Sequence, residues 1–318
     1  MAVSRRAFVF TVIALVVVAA ILILARTAQL QFPQSVSAAR RASILDSTVY
    51  NLEEDLSRVA YIAGYRSLIG LEEHVVNTGE YLMDFDVAFL EMFVNGSVNG
   101  TYYSIMDDST FTSFASRFTQ RAQEQGINSQ LTAIGVNARH DTPWSIKLEI
   151  IVDMQLSDRS GELAFNRTTN ITAVVPITDI KDPLYSIGTL GRAPNTIQVS
   201  NISTPYITAA NVTTSLQELQ NTSAYIVSTD APSFLQRFTY DLTPSPYGIQ
   251  SLVPIAELAA QSLAIEQCHS VVDYLYFGNT STSNYVIVNM DPNGFWLDDG
   301  NLARYNASGK TVGAAPCP

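Results

Sequence analysis

The sequence predicts an α+β fold, and three observations carry that expectation. Apolar residues recur at helical spacing up to about residue 76, a central stretch alternates apolar and polar residues, and both halves of the chain mix the two periods. The expected order is an N-terminal transmembrane helix, a long amphipathic helix, an antiparallel β meander and a second mixed α+β region.

Phe8 to Ala25 is 18 residues with Thr11 as its one polar member. That length lies at the lower end for a membrane-crossing helix, with the lipid bilayer as its partner. A cleaved signal fits less well, because its apolar core is shorter and Ala25-Arg26-Thr27-Ala28 is a poor exit. Arg5 and Arg6 favour a cytoplasmic N-terminus. After Pro33 a second helical pattern runs to about Val76. In it Leu45, Val49, Leu52, Leu56, Val59 and Ala63 step by four and three, forming one apolar seam.

Glu80 to Val94 reads as a further helix, and "NGSVNGT" as a glycine-rich turn. Asp108-Ser109 can cap a helix that ends before Gly126. In "SIKLEIIVDMQLS" the period changes to two, giving a half-buried strand with antiparallel partners at Leu131 to Asn137 and Glu162 to Ile177. A Pro/Gly-rich bridge, 179–196, leads to short helices at Ala210 to Asn221, "APSFLQRF" and "SLVPIAELAAQSL". "SVVDYLYF" and "NYVIVNM" read as paired strands. The organisation is a leader at 1–7, a transmembrane helix at 8–25, a helical plus meander region at 34–178, and a region at 197–318 that shares that core or forms its own.

Charged residues make up 15% of the chain and the net charge is −11, which excludes a nucleic-acid partner needing a basic face. The Asn-x-Ser/Thr pattern occurs at Asn95, Asn99, Asn166, Asn170, Asn201, Asn211, Asn221, Asn279 and Asn306. Chance would give roughly three, so N-linked glycans on an external surface are the expectation. All nine follow the apolar run, which puts the bulk of the chain outside the cell. Cys268 and Cys317 form an even pair, which in an exported chain suggests one disulfide worth about 4 kcal/mol. The alternative is two unpaired buried thiols.

The motifs of serine hydrolases, phosphate loops, zinc proteases and dinucleotide-binding folds are missing. His74, His140 and His269 stand apart, and Asp84/Asp86, Asp107/Asp108 and Asp298/Asp299 read as turns or caps before they read as acid pairs. Asp291 to Gly300 fails a calcium loop at Phe295, so Phe295 and Trp296 read as core anchors. Tyr102, Tyr103, Tyr274 and Tyr276 are candidates for a sugar- or partner-binding surface. No catalytic residue, metal or cofactor is expected, and the chain does not read as an enzyme.

The opening residues, "SRRAFVFTVIALVVVAAILILAR", resemble the N-terminus of type IV pilin-like proteins, including archaeal ones. The resemblance implies a leader cut between Ala7 and Phe8. It also implies an apolar helix that becomes a filament core beside identical or related subunits, and a long helix packed on an antiparallel sheet. Bacterial members carry a Glu five residues into the mature helix; Val12 stands there, and no acid precedes Asp46. "DPLY", "APSFLQRF", "PSPYGI" and "VDYLYF" resemble archaeal membrane-anchored surface proteins, which implies a location and no activity. Three function classes follow: a single-pass, glycosylated extracellular protein with a structural or partner-binding role; a minor or tip-like filament subunit; and a secreted hydrolase without a recognisable motif.

Overall fold

The computed structural model describes residues 5–278, 280, 282–291 and 294–314. Its first helix, α1 (Arg5–Thr78), is 74 residues long. It passes unbroken through Pro33, where two helices were expected, because a proline removes one backbone bond and the neighbouring turns carry the helix across it. The expected transmembrane helix is corrected: among the described residues, no helix is long and apolar enough to cross a membrane. The apolar run does not end as a separate span. It continues through Arg26, Arg40 and Arg41 into the amphipathic seam of the same helix.

After α1 come α2 (Phe85–Asn95), the hairpin β1 (Ser97–Val98) and β2 (Thr101–Tyr102), and α3 (Phe111–Glu124). The cap of α3 is Thr110, whose Oγ1 accepts from Ser113 N at 3.0 Å, two residues beyond the expected start. β3 (Ile127–Thr142), β4 (Ser145–Asp158) and β5 (Ala164–Pro176) form a meander in the order β3-β4-β5. The alternation expected of β4 is present: Ile146, Leu148, Ile150, Val152, Met154 and Leu156 are all buried.

The remaining elements are short: α4 (Pro183–Gly188), α5 (Thr214–Thr222), β6 (Ile226–Val227), α6 (Phe234–Arg237), β7 (Ile249–Gln250), α7 (Ile255–Ala260), α8 (Asp273–Tyr276), β8 (Asn284–Ile287), β9 (Trp296–Asp298) and β10 (Thr311–Ala314). The strand expected at "SVVDYLYF" is the single-turn helix α8. The partners of β8 are β9 and β10, each antiparallel to it. Four residues make one helical turn and too few strand repeats for either period to show, so periodicity could not separate them.

Two compact units divide the chain. One gathers Met1–Glu54, Phe118–Gln130 and Met154–Arg167; the other gathers Asp55–Arg117, Leu131–Asp153 and Thr168–Pro318. In the first, Arg41 pairs with Asp158 at 2.9 Å and Glu162 at 2.8 Å, and Arg167 pairs with Glu53 at 2.7 Å. Mostly exposed pairs of this kind add little stability each.

The second unit holds most of the core. On α1, Leu56, Ala60, Ala63, Leu68, Leu71 and Val75 are buried, with Ala60 taking the place the seam assigned to Val59. Gly64 lets α1 lie directly on β4, since a Cβ there would run into the side chain of Leu148. Phe85, Phe89, Phe93, Phe111 and Phe114 form a chain of rings with neighbouring centroids 5.6–6.4 Å apart. Phe85 also meets Phe238 just beyond α6, at 5.5 Å.

Gly248 precedes β7 with backbone packed against it. An added Cβ would strike the carbonyl oxygens of Ser228 and Ala231, neither of which can rotate away. Gly248→Ala should therefore destabilise the protein by about 3 kcal/mol, the upper end for overpacking, in equilibrium chemical denaturation. Gly135→Ala on β3, where an added Cβ meets only the side chain of Ile151 at an ordinary 3.7 Å, should cost clearly less.

Candidate functional site: a buried arginine between two carboxylates

Three short elements of the second unit each begin with a local sequence signal, and each delivers one charged side chain to the same point. Asp182 caps α4, its Oδ1 accepting from Leu184 N at 2.9 Å, with Pro183 in the first helical position. Ser233 opens α6 in a capping box in which its N–H donates to Gln236 Oε1 at 2.8 Å, and Arg237 is the last residue of that turn. Asp273 opens α8 and accepts from Tyr274 N at 2.7 Å.

Arg237, Asp182 and Asp273 are each 0% exposed. Arg237 Nη1 donates to Asp182 Oδ2 at 2.5 Å and to Asp273 Oδ2 at 2.9 Å, and Nη2 donates to the carbonyl of Ile249 on β7. Tyr225 OH donates to Asp182 at 2.7 Å and lies under the guanidinium, 5.7 Å from ring centroid to Cζ. Ser251 donates to Asp273 through both N and Oγ, at 3.1 and 3.0 Å, and its hydroxyl meets Tyr185 OH at 2.9 Å. Both carboxylates are thus saturated with donors, which lets two acids remain beside one base in the interior.

Burial pushes the Asp273 carboxyl above its ordinary range against the opposing pull of Arg237. Burial also opposes the charge on Arg237, but Asp182 and Asp273 more than offset it and hold the guanidinium firmly protonated. Burial raises the phenols of Tyr185 and Tyr225 far above normal. Nearby, Glu72 of α1 is 3% exposed, accepts from Ser186 Oγ at 2.9 Å and has Lys181 at 3.9 Å. Its carboxyl is likewise raised, chiefly by burial.

The charged members of this cluster are sealed from solvent, and every contact they make is with a segment of the chain itself. Sequence reading passed over it. The available signal was a charge enclosed by apolar and aromatic neighbours in "DPLY", "SFLQRF" and "VVDYLY", which a solvated loop does not need.

The other sequence candidates fall elsewhere. Asp84 caps α2, accepting from Val87 N at 3.1 Å, with Asp86 in the first turn. Asp107 accepts from Tyr102 OH at 2.7 Å, and Asp108 lies 3.9 Å from Arg117. Asp298 is buried and accepts from Ser270 Oγ at 2.8 Å and from Asn301, while Asp299 starts the following turn. The members of each pair make separate local contacts as caps and turn residues. His74 bonds Tyr103 OH through Nδ1 at 2.8 Å, and His140 stacks on Tyr247 at 5.6 Å. Phe295 and Trp296 are buried, as expected of core anchors. Tyr103, Tyr274 and Tyr276 are buried too, leaving Tyr102 exposed among the four.

Among the described sequons, Asn95, Asn99, Asn166, Asn170, Asn201 and Asn221 are exposed, and Asn211 and Asn306 are half-buried. Asn279 lies outside the described residues. Cys268 is buried; Cys317 lies outside the described residues, and the expected pairing with it. Ala7 and Phe8 lie in the helical backbone of α1, with side chains outside the described set. Among the described residues no group of His, Cys, Asp and Glu is placed to hold a metal ion.

One open cleft stands out chemically. It holds about 360 Å³ between the end of α1, the segment leading into α2, and the β1–β2 hairpin. His74, Glu80, Tyr81, Asp84, Glu91 and Asn99 are among its lining residues, and neither Lys nor Arg is. Glu91 accepts from Ser97 Oγ and from the N–H groups of Asn99 and Gly100 at 2.9, 3.0 and 3.3 Å, pinning the hairpin.

Comparison with family models, curated proteins and solved structures finds no match for the chain. The functional reading therefore rests on the residues themselves.

Two measurements test the buried cluster. Arg237→Met leaves two carboxylates without their cation and should cost about 3–5 kcal/mol in denaturation; adding Asp182→Asn and Asp273→Asn should restore part of that loss. Glu72 has a folded pKa above its unfolded one, so its stabilising contribution is present below the ordinary carboxyl pKa and is lost as pH rises through the raised value. Glu72→Gln should accordingly raise the melting temperature at pH 8 by a few degrees, and the gain should vanish toward pH 4.

Proposed function

We propose that the chain is an N-glycosylated protein of the cell exterior with a structural or partner-binding role, and that it is not a catalyst. The observation that carries this reading is the placement of the sequons: six of those described are exposed, on α2, the following hairpin, β5 and the surface segments after it. The buried arginine cluster supports a structural role, because it is a device for holding surface segments in one arrangement.

A second reading, a filament subunit of pilin-like type, is favoured by one specific observation. Val16, Val17, Val18 and Ile21 of α1 are each at least 50% exposed, on successive faces of the helix, while the far end of the same helix is buried. An exposed apolar helix surface of this kind needs a cover, and copies of the same helix would supply one.

Mass spectrometry of the chain isolated from its own cells tests both. Glycan mass is expected at several of Asn95, Asn99, Asn166, Asn170, Asn201 and Asn221; bare asparagine at every one overturns the first reading. For the second, the intact mass should lack residues 1–7, and a retained leader sinks it.

A further inference from the structure

The cleft beside Asn99 has a chemistry of its own. Its rim carries the exposed carboxylates of Glu80 and Asp84, and Tyr81 and Val87 add apolar surface. Tyr81 is held in place by its partner ring Tyr240, 4.8 Å away. His74 is 8% exposed and spends Nδ1 on Tyr103; its Nε2 makes no hydrogen bond among the described residues, and the ring forms part of the cleft wall. That nitrogen is not sealed in the interior, so it can meet a polar group that enters the cleft.

Several hydrogen-bonding groups beside an aromatic surface, with no fixed cation, suit a neutral polyhydroxylated ligand. Sugar hydroxyls donate to carboxylates and to a neutral imidazole, while the C–H face of the ring lies on aromatic surface. Burial lowers the pKa of His74, which keeps it neutral and able to take part. The same cleft contains Asn99 itself, an exposed sequon asparagine in a left-handed conformation (φ 51°) whose own N–H is fixed by Glu91.

We propose that this cleft seats the first sugar residues of a glycan carried by Asn99. The proposal rests on the reading of the chain as N-glycosylated. Attachment at the cleft wall makes binding intramolecular, so weak contacts suffice to keep the sugar docked. The docked glycan covers His74 and ties the segment Glu80 to Val87 to the β1–β2 hairpin.

The test uses the full chain from its own cells. Occupancy at each sequon is read by glycopeptide mass spectrometry, and amide hydrogen exchange is compared with two variants that remove this sequon, Asn99→Gln and Thr101→Val. Asn170→Gln, on β5, serves as control. The expected result is an occupied Asn99, with amides of residues 80–87 exchanging about tenfold faster in both variants and unchanged in the control. His74→Gln should give part of the same acceleration with the glycan still attached. An occupied Asn99 with no change in exchange overturns the cleft proposal and leaves glycosylation standing. A bare Asn99 beside other occupied sequons does the same. If every described sequon is bare, both fall.

Discussion

The side chain of Arg237 is the constraint on which the C-terminal part of the fold depends. A guanidinium with no exposure must be neutralised and hydrogen-bonded where it sits, and its partners come from residues far apart in the sequence: Asp182, Ile249 and Asp273. Arg237 and its partners each stand in or beside an element too short to be stable alone, since α4, α6, β7 and α8 have six, four, two and four residues. These elements therefore do not carry the cluster; the cluster and its surrounding apolar side chains carry them. Tyr225, Tyr185 and Ser251 complete the donor set, and removing any one of them would leave an oxygen short of a partner.

The long helix is organised by the opposite principle. Along Leu56 to Val75 it is held chiefly by apolar burial, and Gly64 sets how closely it approaches β4. Three polar side chains add fixed points: Arg66 donates to the carbonyl of Ile105, His74 bonds Tyr103 OH, and Glu72 reaches Ser186 on α4 and so joins the helix to the polar interior. Phe85 and Phe238 make a parallel apolar link between α2 and the end of α6. The second unit is thus tied together twice, by ring packing and by buried charge.

How much of this was legible follows from the length of each signal. The 14-residue β4 and the α1 seam were readable because their periods repeat enough times to exclude the alternative. The α2 and α3 starts were displaced by a few residues because Asp84 and Thr110, not the first acceptable residues upstream, make the capping bonds. α8 was read as a strand because four residues cannot reveal a period. The N-terminal run was read as a separate span because its composition changes at Arg26, yet backbone helicity does not follow hydropathy and runs through that point. The arginine cluster was the hardest to foresee: its members are some 36 to 91 residues apart, and nothing local says that Asp182 will meet Asp273. Of the candidate site, the sequon at Asn99 was readable, while the uncommitted nitrogen of His74 behind it was not.

Charge placement gives the last step. Only 15% of residues are charged, and several of those few are inside: Arg237, Asp182, Asp273, Glu72, Asp158 and Asp298 are all buried. Charge withdrawn from the surface must be replaced there by other water-binding groups, or the exterior would associate through its exposed apolar atoms. The chain has 57 Ser and Thr and 18 Asn to do this, and half of those Asn lie in sequons. A sugar attached at such a site brings many hydroxyls for one side chain and no net charge. An interior that uses charge for specificity and an exterior that uses hydroxyls and amides for solvation are therefore two sides of one allocation.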